Sequence, residues 1–489
     1  MTKYIFTFSL LFFLAFIVKA QYETPGTGVE WTFDDLVENS SGVVSEESGT
    51  YLINADLIIS ENDILDITEA INVEIAGEVL ITVFGTWNAV PEETASFKAM
   101  NPDNRFEGFR FEETNESVFS NSVIEYGGGI KLVESDMEIS DCTVRYFDKS
   151  NSTGAIDLFY STPDIHNNEI YENAGPAIAS GATSTSSPQI FNNHIYENNT
   201  SNANTPQINL GTSAEDSIRI VGNTITGFYD MAGGIAVTTL AGGSIECVIR
   251  DNIIENNRYG ITCYGSNISS VIKNNQIIDN NLEDDPNAGG SGINFFGDET
   301  NTSIVSGNEI RGNLWGITIQ NAAKPNLGQL EGDIYNPGMN EIYDNGNSGE
   351  IYDFYNNTPD DIMAQNNWWG TADEDEVEDR IFHETDDASL GFVDYLPILS
   401  GPTDVSDVDK GGPGLNSSVR PVPASEEFTV ISEHNAVIEI YNSSGQLIHQ
   451  QKRAGKQTTI SCLDWTPGIY TVVVSVQNQS ETKRVMVVR

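Results

Sequence analysis

Four stretches of this 489-residue chain gather side chains that could act on a bound molecule: "GFYDMAG" at 227–233, "NRYGI" at 257–261, "NLEDD" at 281–285 and "NLWGI" at 313–317. Tyr229, Tyr259 and Trp315 offer aromatic faces suited to stacking on sugar rings, while Asp230, Glu283, Asp284 and Asp285 offer carboxylates and Arg258 a guanidinium. Two chemistries follow. An eliminase would hold calcium on Asp230, Asp284 or Asp285 to neutralise a uronate carboxylate. It would take the α-proton with Arg258, an unusual base because arginine stays protonated. A hydrolase would need two of the carboxylates about 5 to 9 Å apart. On these grounds Asp230, Arg258 and Asp284 are catalytic candidates, Asp284 and Asp285 metal candidates, and Tyr229, Tyr259 and Trp315 carbohydrate-binding candidates. The plainer alternative is that the rings cover a corner of the fold and the acids are solvated loop residues.

Such residues act together only if the fold collects them, and an internal repeat says how it would. The unit is Asn, any residue, Ile or Val, two more residues, then often Asn. It starts at Asn121, Asn168, Asn193, Asn223, Asn252, Asn275, Asn308 and Asn340, with Cys142 in one slot and Asn367 of "NNWWG" closing the series, at spacings of 21 to 33 residues. Between successive asparagines falls Gly-Ile or a variant, as at Gly234-Ile235, Gly260-Ile261, Gly292-Ile293 and Gly316-Ile317. Short alternating strands with Gly and Asn at the corners, and no helical periodicity, predict a right-handed parallel β-helix. Strands of successive turns lie ~4.8 Å apart, so the nine intervals from Asn121 to Asn367 predict a rod of roughly 45 Å.

An inward amide at one corner of every turn lies over its counterpart. A buried amide without partners costs roughly 1 to 3 kcal/mol. Stacked amides satisfy one another, so the asparagines are predicted to form an internal ladder while their outward neighbours vary. Cys142 interrupts that ladder, and Cys142→Asn is predicted to stabilise. The segment from ladder Asn to the next Ile slot is usually 9 to 12 residues but 15 after Asn193 and 18 after Asn275, and "GFYDMAG" extends it after Asn223. These insertions leave from one corner and predict a wall beside the rod. On it Tyr259 and Trp315 share a column two turns apart.

Residues 1–20 read as a signal peptide, 21–98 as an N-terminal cap and first coils, 99–400 as the β-helix proper, 401–417 as a Gly/Pro/Ser/Asp linker, and 418–489 as a small β-sandwich. The fold class is therefore all-β. No later stretch is apolar enough to span a membrane as a helix. Net charge is −49, and residues 1–417 carry 66 acidic against 16 basic side chains, a surface that repels nucleic acid and anionic lipid. The four cysteines are far apart, with one bridge, Cys247 to Cys263, conceivable. No phosphate loop, His-Glu-x-x-His zinc site or nucleophile elbow is present, and His383-Glu384 lacks a second histidine. His166 and His194 fall on outward or corner positions.

Two resemblances add to this. "RPVPASEEFTV", "IEIYNSSGQLI", "LDWTPGIYTVVV" and "ETKRVMVVR" together resemble the C-terminal sorting domain of type IX secretion substrates. That resemblance implies export by the type IX secretion machinery of a Bacteroidetes-type bacterium, to the medium or the cell surface. The middle, with "NNWWG" and "VDYLP", is similar to secreted β-helix proteins of the pectate-lyase-like and NosD-like type. That fold hosts lyases, hydrolases, epimerases, adhesins and unassigned surface proteins alike. The expectation is a secreted, surface-attached protein that binds extracellular polysaccharide. A polysaccharide lyase or glycoside hydrolase, and a structural or adhesive spacer, are the alternatives.

Overall fold

The computed structural model describes residues 21–402 except 115, 150–152 and 333, and within 418–487 the residues outside 421–426, 432–435, 442–446, 455–456, 464, 467 and 477–478. The signal-peptide segment 1–20 and all but the first two residues of the 401–417 linker lie outside the described residues. The chain divides into two compact units, at Pro402 and Thr403.

The first unit is a parallel β-solenoid of about 13 turns. Each turn contributes to three sheets. A long sheet of fourteen strands runs from Gln21–Glu23 to Ile381–Phe382, a ladder sheet of thirteen from Val44–Glu47 to Glu341–Tyr343, and a short sheet of eleven from Glu30–Trp31 to Ile304–Ser306. Alternation drives inward side chains into columns. Val144, Ile170, Ile195, Ile225, Ile254, Ile277, Ile310 and Ile342 lie in register and fully buried. The first turns are filled instead by Trp87, Phe97, Phe109 and Phe119, with ring centroids 5.2–6.1 Å apart. A helix over Phe33–Asn39, N-capped by Thr32, lays Phe33 and Leu36 on this cluster. At the other end Trp369, Val377 and Val393 join the core.

Each corner has a hydrogen-bonded column. From Asn168 through Asn193, Asn223, Asn252, Asn275, Asn308 and Asn340 to Asn367, every carboxamide Nδ2 donates to the next oxygen at 2.9–3.0 Å. Cys142 takes the slot before Asn168, its backbone N–H donating to Asn168 Oδ1. Asn121, read from the sequence as a member, is not one. It is exposed, and Ser122 sits in register with Cys142 instead. The reason is a two-residue corner. The residue before each slot adopts positive φ, as do Asn121, Asp141, Asn167, Asn192, Gly222, Asp251, Asn274 and Gly307. Asn, Asp and Gly tolerate that conformation best.

The second asparagine of the repeat unit, for which no ladder was predicted, builds a further amide column at the next corner. It runs Asn173, Asn198, Gln207, Asn257, Asn280, Asn313, Asn345 and ends on Asp353. Phe228 occupies the expected slot of the Asn223 turn and turns outward, 61% exposed. The Gln207 side chain fills the gap, accepting from Asn198 and donating to Asn257. Serines 135, 161 and 186 form a third column through backbone-to-hydroxyl bonds.

All four cysteines are buried and free, so no Cys247–Cys263 bridge forms. Burial pushes the Cys263 thiol up to about 11 and Cys142 up to about 12. The second unit has antiparallel sheets of three and four strands, and Phe428, Val430, Ile438, Ile440, Val472 and Val474 belong to its own core.

Candidate ligand-binding cleft

The outward face of the long sheet carries a cleft of about 590 Å³ near its C-terminal end. Strand register builds its floor. Thr262, Asn294, Thr318 and Tyr355 occupy one column on consecutive turns, and Tyr264, Phe296, Gln320 and Asn357 the next. Asn294 is the hub, donating to Thr262 Oγ1 at 3.0 Å and accepting from Thr318 Oγ1 at 2.8 Å and Gln320 Nε2 at 3.1 Å. Ser291 pairs with Trp315 and lies in register over Tyr259, so Tyr259 and Trp315 stand in one column two turns apart. Trp315 packs on Tyr352 at 4.6 Å and edge-on to Tyr355 at 5.1 Å, and Tyr355 stacks on Phe382 at 4.9 Å.

The wall is the 281–290 insertion, and Arg258 fixes it. The buried guanidinium ion-pairs with Glu283, donates to Ala288 O at 2.6 Å, and donates to Asn204 Oδ1 of the neighbouring insertion. Gly290 N–H returns to Arg258 O at 2.8 Å, and Trp315 Nε1 holds Pro286 O at 2.9 Å. Gly290 has φ +88, and a Cβ there would lie 2.6 Å from Leu314 Cβ, so only glycine lets the loop re-enter the sheet. Met231 N–H donates to Asn202 Oδ1, tying the 227–231 insertion to the one after Asn193.

Two stretches of the chain match known families. Residues 39–225 match the right handed beta helix region, and residues 418–488 match the secretion system C-terminal sorting domain. The chain is a secreted or cell-surface β-helix protein. No curated protein matches it in sequence. The sorting domain makes the type IX secretion machinery a partner of this β-helix protein, and no helix among the described residues is long and apolar enough to cross a membrane.

Not every sequence-derived candidate lies in the β-helix cleft. Arg258, Tyr259 and Trp315 line it; Tyr229, Asp230, Asp284 and Asp285 do not. Tyr229 is half-buried against Phe228, with its hydroxyl pushed up by burial and by Glu197 and Glu172. Asp230, Asp284 and Asp285 are exposed, and Asp285 Oδ1 accepts from its own turn at Asn287. No group of three or more His, Cys, Asp or Glu side chains able to hold a metal occurs among the described residues. A base role for Arg258 conflicts with its placement, since its nitrogens face Glu283, Asn204 and Ala288. Burial pushes the Tyr259 hydroxyl up to about 12, against the pull of Arg258. His383 is buried in the closing segment, accepting from Val393 N–H through Nδ1 and facing Glu378 with Nε2.

Sequence reasoning missed Asn294, Thr318, Gln320 and Tyr355. Their signal was present: each stands one or three residues after the inward isoleucine or phenylalanine that follows a corner.

Proposed function

We propose that this β-helix protein binds extracellular polysaccharide, seated on the long sheet between Tyr259, Trp315 and Tyr355. The composition of the cleft carries the reading. Rings present apolar faces to the C–H surfaces of sugars, and Asn294, Gln320, Thr262 and Thr318 present donors and acceptors to hydroxyls. The lining contains no carboxylate, and its single charged side chain, Arg258, is already paired with Glu283. Lyase or hydrolase chemistry needs an acid or base beside the ligand. This lining favours holding a glycan over cleaving it.

The test is a glycan array probed with the full-length protein, followed by titration of the best oligosaccharide. Trp315→Ala and Tyr355→Ala each weaken binding at least tenfold with the melting temperature within a few degrees of wild type. Wild-type protein that binds no glycan, or variants that bind as well as wild type, end the proposal. Release of shorter products from the bound glycan would move the protein to the lyase or hydrolase class.

A further inference from the structure

A second cleft, of about 400 Å³, opens on the same outward face toward the N-terminal end. Three basic side chains line it together with Glu107 and Asp157. Residues 1–417 hold only 16 basic side chains against 66 acidic, yet Arg110, Lys131 and Lys149 all line this one opening. Arg110 and Lys131 are direct register partners on adjacent strands, and Lys131 is in turn the partner of Asp157. Like charges side by side in a sheet are unfavourable unless something else offsets them. Lys131 Nζ lies 4.2 Å from the centroid of the Phe159 ring, and Lys149 pairs with Glu107 at 2.9 Å on the rim. Arg110 pairs with Glu112 at 2.6 Å. Backbone forms part of the wall: a Cβ at Gly128 would sit 2.0 Å from Glu107 O, so only glycine permits that close approach of neighbouring turns.

The two clefts belong to one track. The column Arg110, Lys131, Asp157 continues without a break through Ala179, Asn209 and Ala236 to Thr262 and Asn294 of the first cleft. Ala179 and Ala236 are buried in the middle of this column and Asn209 is partly exposed, so the two clefts are joined by strand register.

We propose that the second cleft holds the anionic group, a carboxylate or a sulfate, of a polysaccharide bound on this face of the long sheet. The polymer rests on the glycan reading above; the anion rests on Arg110 and Lys131. Arginine forks onto both groups, and lysine supplies a point charge. Asp157 governs the pH response. Burial raises its carboxyl to about 6, against Lys131 and the Gly154 N–H, and the charged groups around it are Arg110, Lys131, Lys149, Glu107 and Glu112. Neutral Asp157 leaves Lys131 free to meet the anion; ionised Asp157 competes for it.

The experiment titrates full-length protein with three oligosaccharides of matched length: neutral, uronate-bearing and sulfated. At least one acidic ligand binds tenfold or more tightly than the neutral one, and which of them does so identifies the group. Lys131→Gln removes the preference and leaves neutral affinity unchanged, with Arg110→Gln in reserve should that variant fail to fold. Raising pH from 5 to 7.5 weakens acidic-ligand binding threefold or more in wild type and leaves Asp157→Asn unaffected. Neutral binding with no acidic preference, or a preference surviving both substitutions, overturns this inference and leaves the first cleft standing. No binding of any of the three overturns both.

Discussion

At the scale of single residues, the internal amides show why one side chain recurs. Asn252 is buried, and its carboxamide meets Ile220 O at 2.9 Å and Asn275 Oδ1 at 2.9 Å while accepting from Asn223. Asn252→Ala leaves partners above and below unsatisfied, each worth about 1–3 kcal/mol, and a urea melt should show a loss of that size or more. Cys142→Asn works in the opposite sense, since an amide there can accept from the turn below and donate to Asn168. An increase of about 1 kcal/mol is expected in the same assay. Asp353, at the end of the second column, accepts from Asn345 and pairs with Arg380 at 3.3 Å. Burial nonetheless raises its carboxyl to about 6. An unfolded aspartate ionises near about 3.9. The folded state therefore keeps a proton that the unfolded state has lost, and this contribution is full below about pH 4 and lost as pH rises through about 6. Asp353→Asn should gain on wild type between pH 4 and pH 7, read as the difference in urea midpoints.

At the scale of elements, strands and corners were legible because they obey simple periods. Alternation every second residue marked the inward isoleucines, and the Asn slots marked the turns. The one-residue error at Asn121 arose because the corner uses Asn twice, once for positive φ and once for the ladder, and "NS" satisfies only the first. The asparagines of the second column were legible as the closing residue of the repeat unit, but Gln207 reaches its place from a different strand and carries no spacing signal. Gln207→Ala should separate Asn198 from Asn257 and destabilise by about 1–3 kcal/mol, again by urea melt. The cleft was legible only in part. Tyr259, Trp315 and the long insertion stood out, but the floor is made by outward positions that vary freely in most turns. The exposed acids drew attention by charge, although charge on a loop is the ordinary state of a solvated surface. Gly290→Ala tests the wall itself. The added methyl should displace the 281–290 segment and weaken glycan binding severalfold while the melting temperature changes little.

At the scale of the whole molecule, the two units divide the labour. The solenoid carries the proposed glycan-binding surface, and the C-terminal unit addresses the protein for export. Deleting residues 418–489 should leave the chain folded but retained in the cell, seen by immunoblotting medium and cell fractions. The acidic bias of residues 1–417 repels polyanions over most of that surface, which makes the few cations gathered in the outward cleft of the N-terminal half more conspicuous.

Equivalent positions on consecutive turns also make the solenoid editable in whole units. Excising 169–193 would join Asn168 directly to His194, with Asn168 then facing Asn223 and Asn198 taking over from Asn173. Both amide columns would still pair across the splice, while the serine column would end at Ser161. Genetic gain or loss of one such module would lengthen or shorten the scaffold by ~4.8 Å without redesigning either end, so the reach of the protein can evolve by counting.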